Sequence, residues 1–159
     1  MKICYRTHQR YNIKLLKRLA AEFRNAIIKS QSTTLPYSLQ NFPRGACGDA
    51  SLLLGKFYQE MEVGVPQYIC GINEDGHSHA WLQFDNIIID ITIDQFNDVN
   101  EQVVVTTNNS WHSKFIPDIE KHPADFDEYD TSTRVSLRRA YNEIVCRLKP
   151  EYHPGEKPG

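Results

Sequence analysis

The hairpin stretch His79-Ala80-Trp81-Leu82-Gln83-Phe84-Asp85-Asn86-Ile87-Ile88-Ile89-Asp90-Ile91 carries the strongest structural signal in this chain. Aromatic and β-branched residues flank an Asp85-Asn86 turn, a pattern that predicts two antiparallel strands. A turn centred there brings His79 and Asp90 near each other across the ladder, about 5 Å apart if they are directly opposed. Because a buried carboxylate without a polar partner is costly, Asp90 within a run of isoleucines predicts a His79–Asp90 pair.

Helices are predicted on both sides of this hairpin. Apolar residues recur at three- and four-residue steps over 11–30, with Asn12 as the expected N-cap. A second helix is expected to begin at Ala46 or Cys47 and to end near Glu60. A closing helix is expected over 132–148.

Strands and loops complete the predicted order. Runs at 67–71 and 103–106 predict two further strands, and the acidic stretch 117–130 is expected to be a surface loop or a short ordered turn. Helix, helix, antiparallel strands and helix in succession predict an α+β fold in which helices pack on an antiparallel sheet. We expect one domain over 1–150 and a flexible tail over 151–159.

Composition narrows the function classes. The chain has 159 residues and a formal net charge of -2, which gives no electrostatic reason to expect nucleic acid or an anionic membrane as a partner. Its opening residues, Met1-Lys2-Ile3-Cys4-Tyr5-Arg6, lack the apolar segment of a signal peptide. Its four cysteines form neither a CxxC pair nor a disulfide scaffold, so we expect a reduced, cytoplasmic setting.

The segment Gly45-Ala46-Cys47-Gly48-Asp49-Ala50-Ser51 places a cysteine at the predicted start of a helix. Unpaired backbone N–H groups and the helix dipole favour a thiolate there, and the same groups can donate to an oxyanion at an attacked carbonyl. Gly48 adds little bulk, so a substrate backbone can approach. With His79 as base and Asp90 orienting it, Cys47 would be an activated nucleophile.

Several alternatives stay open at this stage. His77 lies two residues before His79 and would face the same side of the strand, so it competes as the base. Cys47, His77, His79 and Asp90 also form a zinc-compatible ligand set, although a single thiolate explains the pattern with fewer assumptions. Each residue alone is more often structural: a small buried thiol, a packed histidine or a capping carboxylate.

Taken together, Cys47 with its apolar helix, His79-Ala80-Trp81 and Asp90-Ile91-Thr92 resemble the catalytic core of the transglutaminase-like superfamily over roughly residues 44–96. The resemblance implies a papain-like fold with nucleophile, base and orienting carboxylate in this chain order, and no cofactor. It also implies a side-chain donor upstream of the cysteine for the oxyanion, for which Gln40 and Asn41 are candidates. Trp81 matches the tryptophan after the family's histidine and is expected to shield the His–Asp pair.

The superfamily contains several activities, so three function classes follow. The first is a cysteine peptidase or amidase acting on a peptide or protein amide through a thioester. The second is acyl transfer from the same thioester, as transglutaminase or glutamine deamidase. The third is a non-catalytic binding or effector module, in which the acidic stretch 118–130 would dock a basic protein partner.

Overall fold

The computed structural model describes residues 11–31 and 34–155 of the chain. Residues 1–10 of the expected domain, Cys4 among them, and residues 156–159 of the expected tail lie outside this range. In the described part, four helices pack against an antiparallel sheet, which confirms the predicted α+β class. None of the described helices combines the length and the hydropathy needed to cross a bilayer.

The predicted helices are all present. Helix α1 spans Ile13–Lys29, with the Asn12 side chain accepting the Leu15 N–H at 3.2 Å as expected. Helix α3 spans Cys47–Glu60 and helix α4 spans Thr131–Val145. A short helix that sequence patterning did not indicate, α2 at Tyr37–Gln40, lies in the loop before α3.

The sheet of the described residues has six strands, two of them very short, where three or four were expected. Their order is β4-β3-β2-β1-β5, and β6 also pairs with β1. The strands are β1 Gln67–Ile72, β2 Ser78–Phe84, β3 Ile87–Asp90, β4 Val104–Thr106, β5 Ile116–Pro117 and β6 His122–Pro123.

The ladder between β2 and β3 stops early. It runs from Phe84–Ile87 to Leu82–Ile89, whereas β1 pairs with β2 along its whole length. At Ala80, helix α3 lies beside β2 in place of β3. The Ala80 carbonyl accepts the Ser51 hydroxyl at 3.5 Å, and the Ala80 N–H donates to the Cys47 sulfur. Cys47 and Ser51 lie one helical turn apart on α3. Their side chains bind the backbone groups of Ala80 that β3 does not reach.

Alternation along β2 divides the sheet into two apolar faces. Ala80, Leu82 and Phe84 join the main core beneath the helices. Trp81 packs with Ile88 and Phe115 in a second, smaller cluster. His79 has the same parity as Trp81 and lies with it, so the imidazole is enclosed by aromatic rings.

The acidic stretch is more ordered than a surface loop. It contributes β5, β6 and a 3₁₀ turn at Phe126–Glu128. Buried Lys56 of α3 donates to Asp125 at 2.6 Å and to Asp127 at 2.8 Å, and Arg138 of α4 also binds Asp127. These ion pairs hold the segment against the helices, because Lys56 would otherwise be a buried unpaired charge.

A second buried cation fixes the segment that follows β3. Arg24 of α1 donates to both carboxylate oxygens of Asp94 at 2.8 Å and to the Ile91 carbonyl at 2.6 Å. Asp94 lies in a 3₁₀ turn at Ile93–Gln95. The bidentate contact therefore sets where the chain goes after it leaves the sheet.

Candidate active site

Cys47 is the first residue of α3, and no side chain caps this helix end. The first helical bond runs from the Ala50 N–H to the Ala46 carbonyl at 2.8 Å, so the three preceding N–H groups have no helical partner. The Gly48 N–H donates to the Cys47 sulfur, as does that of Ala80. The thiol is half-buried, so it can still be reached from outside.

The surroundings of Cys47 favour its ionised form. Burial opposes ionisation, but a hydrogen bond from His79, its charge and the two backbone N–H groups outweigh burial and lower the pKa of Cys47. Cys70 of β1 shows the opposite behaviour. Burial and the nearby carboxylate of Asp118 raise the pKa of Cys70 to about 11. The surroundings therefore favour the thiolate form at Cys47 and the thiol form at Cys70.

His79 connects the thiol to the carboxylate. Its Nε2 lies 2.7 Å from Oδ2 of Asp90, and its ring also forms a hydrogen bond with Cys47. Both the imidazole and the carboxylate are buried. Burial lowers the pKa of His79, but the charge of Asp90 and its hydrogen bond outweigh this and raise it to about 9.

The pairing geometry differs from the directly opposed pair that we expected. Because Leu82 pairs with Ile89, the same register extended would place Asp90 beside Trp81 rather than His79. His79 and Asp90 are therefore diagonal neighbours, a spacing that long and aromatic side chains bridge. The expected contact forms across the end of the ladder, where β3 turns away.

Asp90 accepts hydrogen bonds at both carboxylate oxygens. Oδ1 accepts the Thr92 N–H at 3.0 Å, which stabilises the departing chain, while Oδ2 receives two imidazoles. Burial raises the pKa of Asp90, but the charge and hydrogen bonds of His79, together with His112, more than reverse this and hold it far below its usual range. These partners favour the ionised form of the carboxylate.

The second imidazole on Asp90 belongs to His112, which sequence reasoning missed. Its Nε2 lies 2.8 Å from Oδ2, and the residue is buried in a 3₁₀ turn at His112–Lys114. The segment 107–115 has no helical or strand periodicity, so pattern analysis had no means of placing it. The only sequence signal was the aromatic pair Trp111-His112 shortly before Phe115.

Aromatic rings surround the imidazole of His79. Trp81 lies 5.8 Å away between ring centroids, Phe96 5.0 Å and Phe115 5.5 Å. The buried Trp81 Nε1 has no hydrogen-bond partner among the described residues. Trp81 therefore lies where the shielding role predicted for it would place it, and this low-dielectric enclosure strengthens the His79–Asp90 interaction.

The predicted oxyanion role of Gln40 and Asn41 stays a prediction. The Gln40 side-chain amide donates to the Leu35 carbonyl at 3.0 Å. Asn41 is exposed, and its backbone carbonyl accepts the Arg44 N–H. An amide that we had not considered does reach the site. The amide nitrogen of Gln95 lies 3.3 Å from Nδ1 of His79 and donates to the Thr92 carbonyl at 3.1 Å.

His77, the alternative base, is exposed in the turn before β2, where its N–H donates to the Asn73 side chain. It lines a groove of about 720 Å³ with Ser78, Gln95 and Phe96. His79, not His77, therefore makes the hydrogen bond to Asp90. Neither Cys47 nor His79 lines this groove.

Metal binding at the site can be judged from its distances. Among the described residues, His79, Asp90 and His112 bring three ligand-type atoms within 4.8 Å of one another. Two ligands of a tetrahedral zinc ion, each about 2.0 Å from it, are separated by about 3.3 Å. The Nε2–Oδ2 distances here, 2.7 and 2.8 Å, are those of hydrogen bonds.

Comparisons with protein-family models, with curated proteins and with solved structures find no match to this chain. The transglutaminase-like resemblance therefore stays a prediction from the sequence.

Proposed function

We propose that this protein is a cysteine-nucleophile hydrolase, a peptidase or amidase of transglutaminase-like type with a papain-like core. One observation carries the proposal: the hydrogen-bonded chain from the half-buried Cys47 thiol through buried His79 to buried Asp90. A thiolate and an imidazolium that stabilise each other form a nucleophile and a general acid already in place.

The geometry suits both halves of amide hydrolysis. The Cys47 thiolate attacks the carbonyl carbon, and the N–H groups at the start of α3 are available to the oxyanion. His79 passes its proton to the leaving amine as the C–N bond breaks, which leaves a thioester and a neutral imidazole. His79 then removes a proton from water, the hydroxide attacks the thioester, and the acid product leaves as the thiolate re-forms.

Selective alkylation tests the nucleophile. We expect limiting iodoacetamide near neutral pH to modify Cys47 before Cys146, although Cys146 is the more exposed thiol. Cys70 is a matched half-buried control, and its raised pKa predicts slow labelling. Labelling that follows exposure, with Cys146 first, would contradict the proposal.

Mass spectrometry of peptide mixtures tests the reaction itself. Peptide cleavage, absent in Cys47→Ala, is the expected result. Deamidation of glutamine or an amine cross-link, also lost in Cys47→Ala, would instead assign acyl transfer, since that reaction shares the thioester. Any effect of the protein that survives Cys47→Ala unchanged contradicts both enzymatic proposals.

The binding-module alternative relies on the acidic stretch as a docking surface. Asp125 and Asp127 are already bound to Lys56, and the side chain of Asp130 caps α4 by accepting the Thr133 N–H at 3.0 Å. These three carboxylates therefore already bind groups within the protein. This favours the enzymatic proposal over docking of a basic partner.

A further inference from the structure

We propose that His112 is a positioning residue of the proposed active site: its neutral imidazole donates to Asp90 and limits how strongly that carboxylate retains the proton on His79. The inference rests on the proposed function and adds a fourth residue to the predicted three.

The hydrogen bonds fix the protonation of His112. An ionised carboxylate only accepts, so the Nε2 of His112, 2.8 Å from Oδ2 of Asp90, must carry the proton. The buried Nδ1 has no hydrogen-bond partner among the described residues. A buried N–H without a partner is rarer and costlier than a lone pair without one. The arrangement therefore specifies the neutral tautomer with hydrogen on Nε2.

Sharing one oxygen gives His112 influence over His79. Both imidazoles donate to Oδ2 of Asp90, at 2.7 Å from His79 and 2.8 Å from His112. Each donor withdraws part of the carboxylate's capacity to stabilise positive charge on the other. A His79 imidazolium that is held too strongly could not release its proton and act as a base toward water in the second half of the reaction.

Other ionisable groups must be counted as well. Three titratable groups contact His79 or the oxygen it binds: Cys47 from α3, Asp90 from β3 and His112. A further shell lies around Cys47 and around the Trp111 ring: Tyr68, Cys70, Asp98 and Lys114. None of this outer shell touches Oδ2 of Asp90, so a change at His112 reaches His79 mainly through that oxygen.

Two substitutions separate the hydrogen bond from the packing. His112→Phe keeps an aromatic ring against Trp81 and removes the donor, whereas His112→Gln keeps an N–H donor at a similar reach. We expect His112→Phe to raise the pH midpoint of His79 deprotonation by up to about 1–2 units, the upper limit set by losing one donor to a charged carboxylate. His112→Gln should stay near the wild-type midpoint, as should the exposed control His77→Gln.

The midpoint is read in the full chain from the NMR shifts of the His79 ring protons. A second readout is the upper inflection in the pH dependence of Cys47 alkylation, where the imidazolium is lost. A midpoint that is unchanged or lower in His112→Phe, or raised equally in His112→Gln, overturns the proposal.

The wild-type protein gives a check that does not depend on a variant folding. Imidazole nitrogen shifts should show the hydrogen of His112 on Nε2 rather than on Nδ1; the opposite tautomer overturns the proposal. Failure of selective Cys47 alkylation would overturn the proposed function instead, so the two failures are distinguishable.

Discussion

Replacing Asp90 with asparagine should destabilise the fold in a way that depends on pH. The pKa of His79 is raised from its ordinary 6.5 to about 9, with Asp90 as the main stabilising cause. The difference of about 2.5 pH units corresponds to about 3 kcal/mol in the free energy of unfolding. Asparagine keeps the shape of the side chain, but its NH2 group faces both imidazole donors at the position of Oδ2 or the Thr92 N–H at the position of Oδ1.

The sign follows from proton linkage. A histidine whose pKa is raised in the folded state contributes stability that is fully present below about pH 6.5 and is lost as the pH rises through about 9. We therefore expect the difference in unfolding free energy between wild type and Asp90→Asn to be largest, about 3 kcal/mol, near pH 5.5. It should shrink toward pH 9, leaving only the loss from mismatched hydrogen bonds.

Urea denaturation at a series of pH values measures this difference. Asp75→Asn, an exposed carboxylate in the β1–β2 turn, is the matched control and should change stability little at any pH. A destabilisation by Asp90→Asn that stayed constant from about pH 5.5 to 9 would refute the linkage between this carboxylate and the imidazole.

Three further substitutions test the supporting structure by thermal or urea denaturation. Gly55→Ala would place a methyl 2.6 Å from the Ala124 carbonyl oxygen and should destabilise the fold by about 1–3 kcal/mol; an unchanged melting temperature would contradict this packing. Arg24→Met leaves Asp94 without its bidentate partner and should lower the free energy of unfolding by about 3–5 kcal/mol. Gln95 follows Asp94 and reaches His79, so Cys47 alkylation should also slow. Full stability would show that the Arg24–Asp94 pair is not formed. Trp81→Phe should change stability by less than about 1.5 kcal/mol, because removing an unpartnered buried N–H offsets the lost contact area; a much larger loss would mean that this N–H has a partner.

Periodicity and residue chemistry predicted the local part of this structure. The helices, the hairpin and the start of α3 at Cys47 depend on neighbouring residues, so their signals lie within short windows. The partner of Asp90 was predicted from the free-energy cost of burying an unpaired carboxylate. A carboxylate among isoleucines requires a polar partner, and His79 was within reach across the hairpin.

What the sequence could not supply came from distant segments. Gln95 reaches His79 because Arg24, on the first helix, fixes the turn that carries Gln95. His112 reaches Asp90 from a segment without periodicity. Gln40 already donates to the Leu35 carbonyl, a short-range bond that competes with donation to an oxyanion, so its oxyanion role stays a prediction.

At Ala80, β2 changes its hydrogen-bond partner from β3 to α3, and this limits how the sheet can change. Were β3 to continue alongside β2 for two more residues, its own backbone would occupy the N–H and carbonyl that α3 now binds, and the sulfur would be displaced from the imidazole. A longer ladder between β2 and β3 would therefore separate Cys47 from His79. Substitutions that extend the strand pairing beyond Ile89 should stabilise the protein while lowering the reactivity of the Cys47 thiol. Selection for stability alone should therefore favour variants at this position that lower this reactivity.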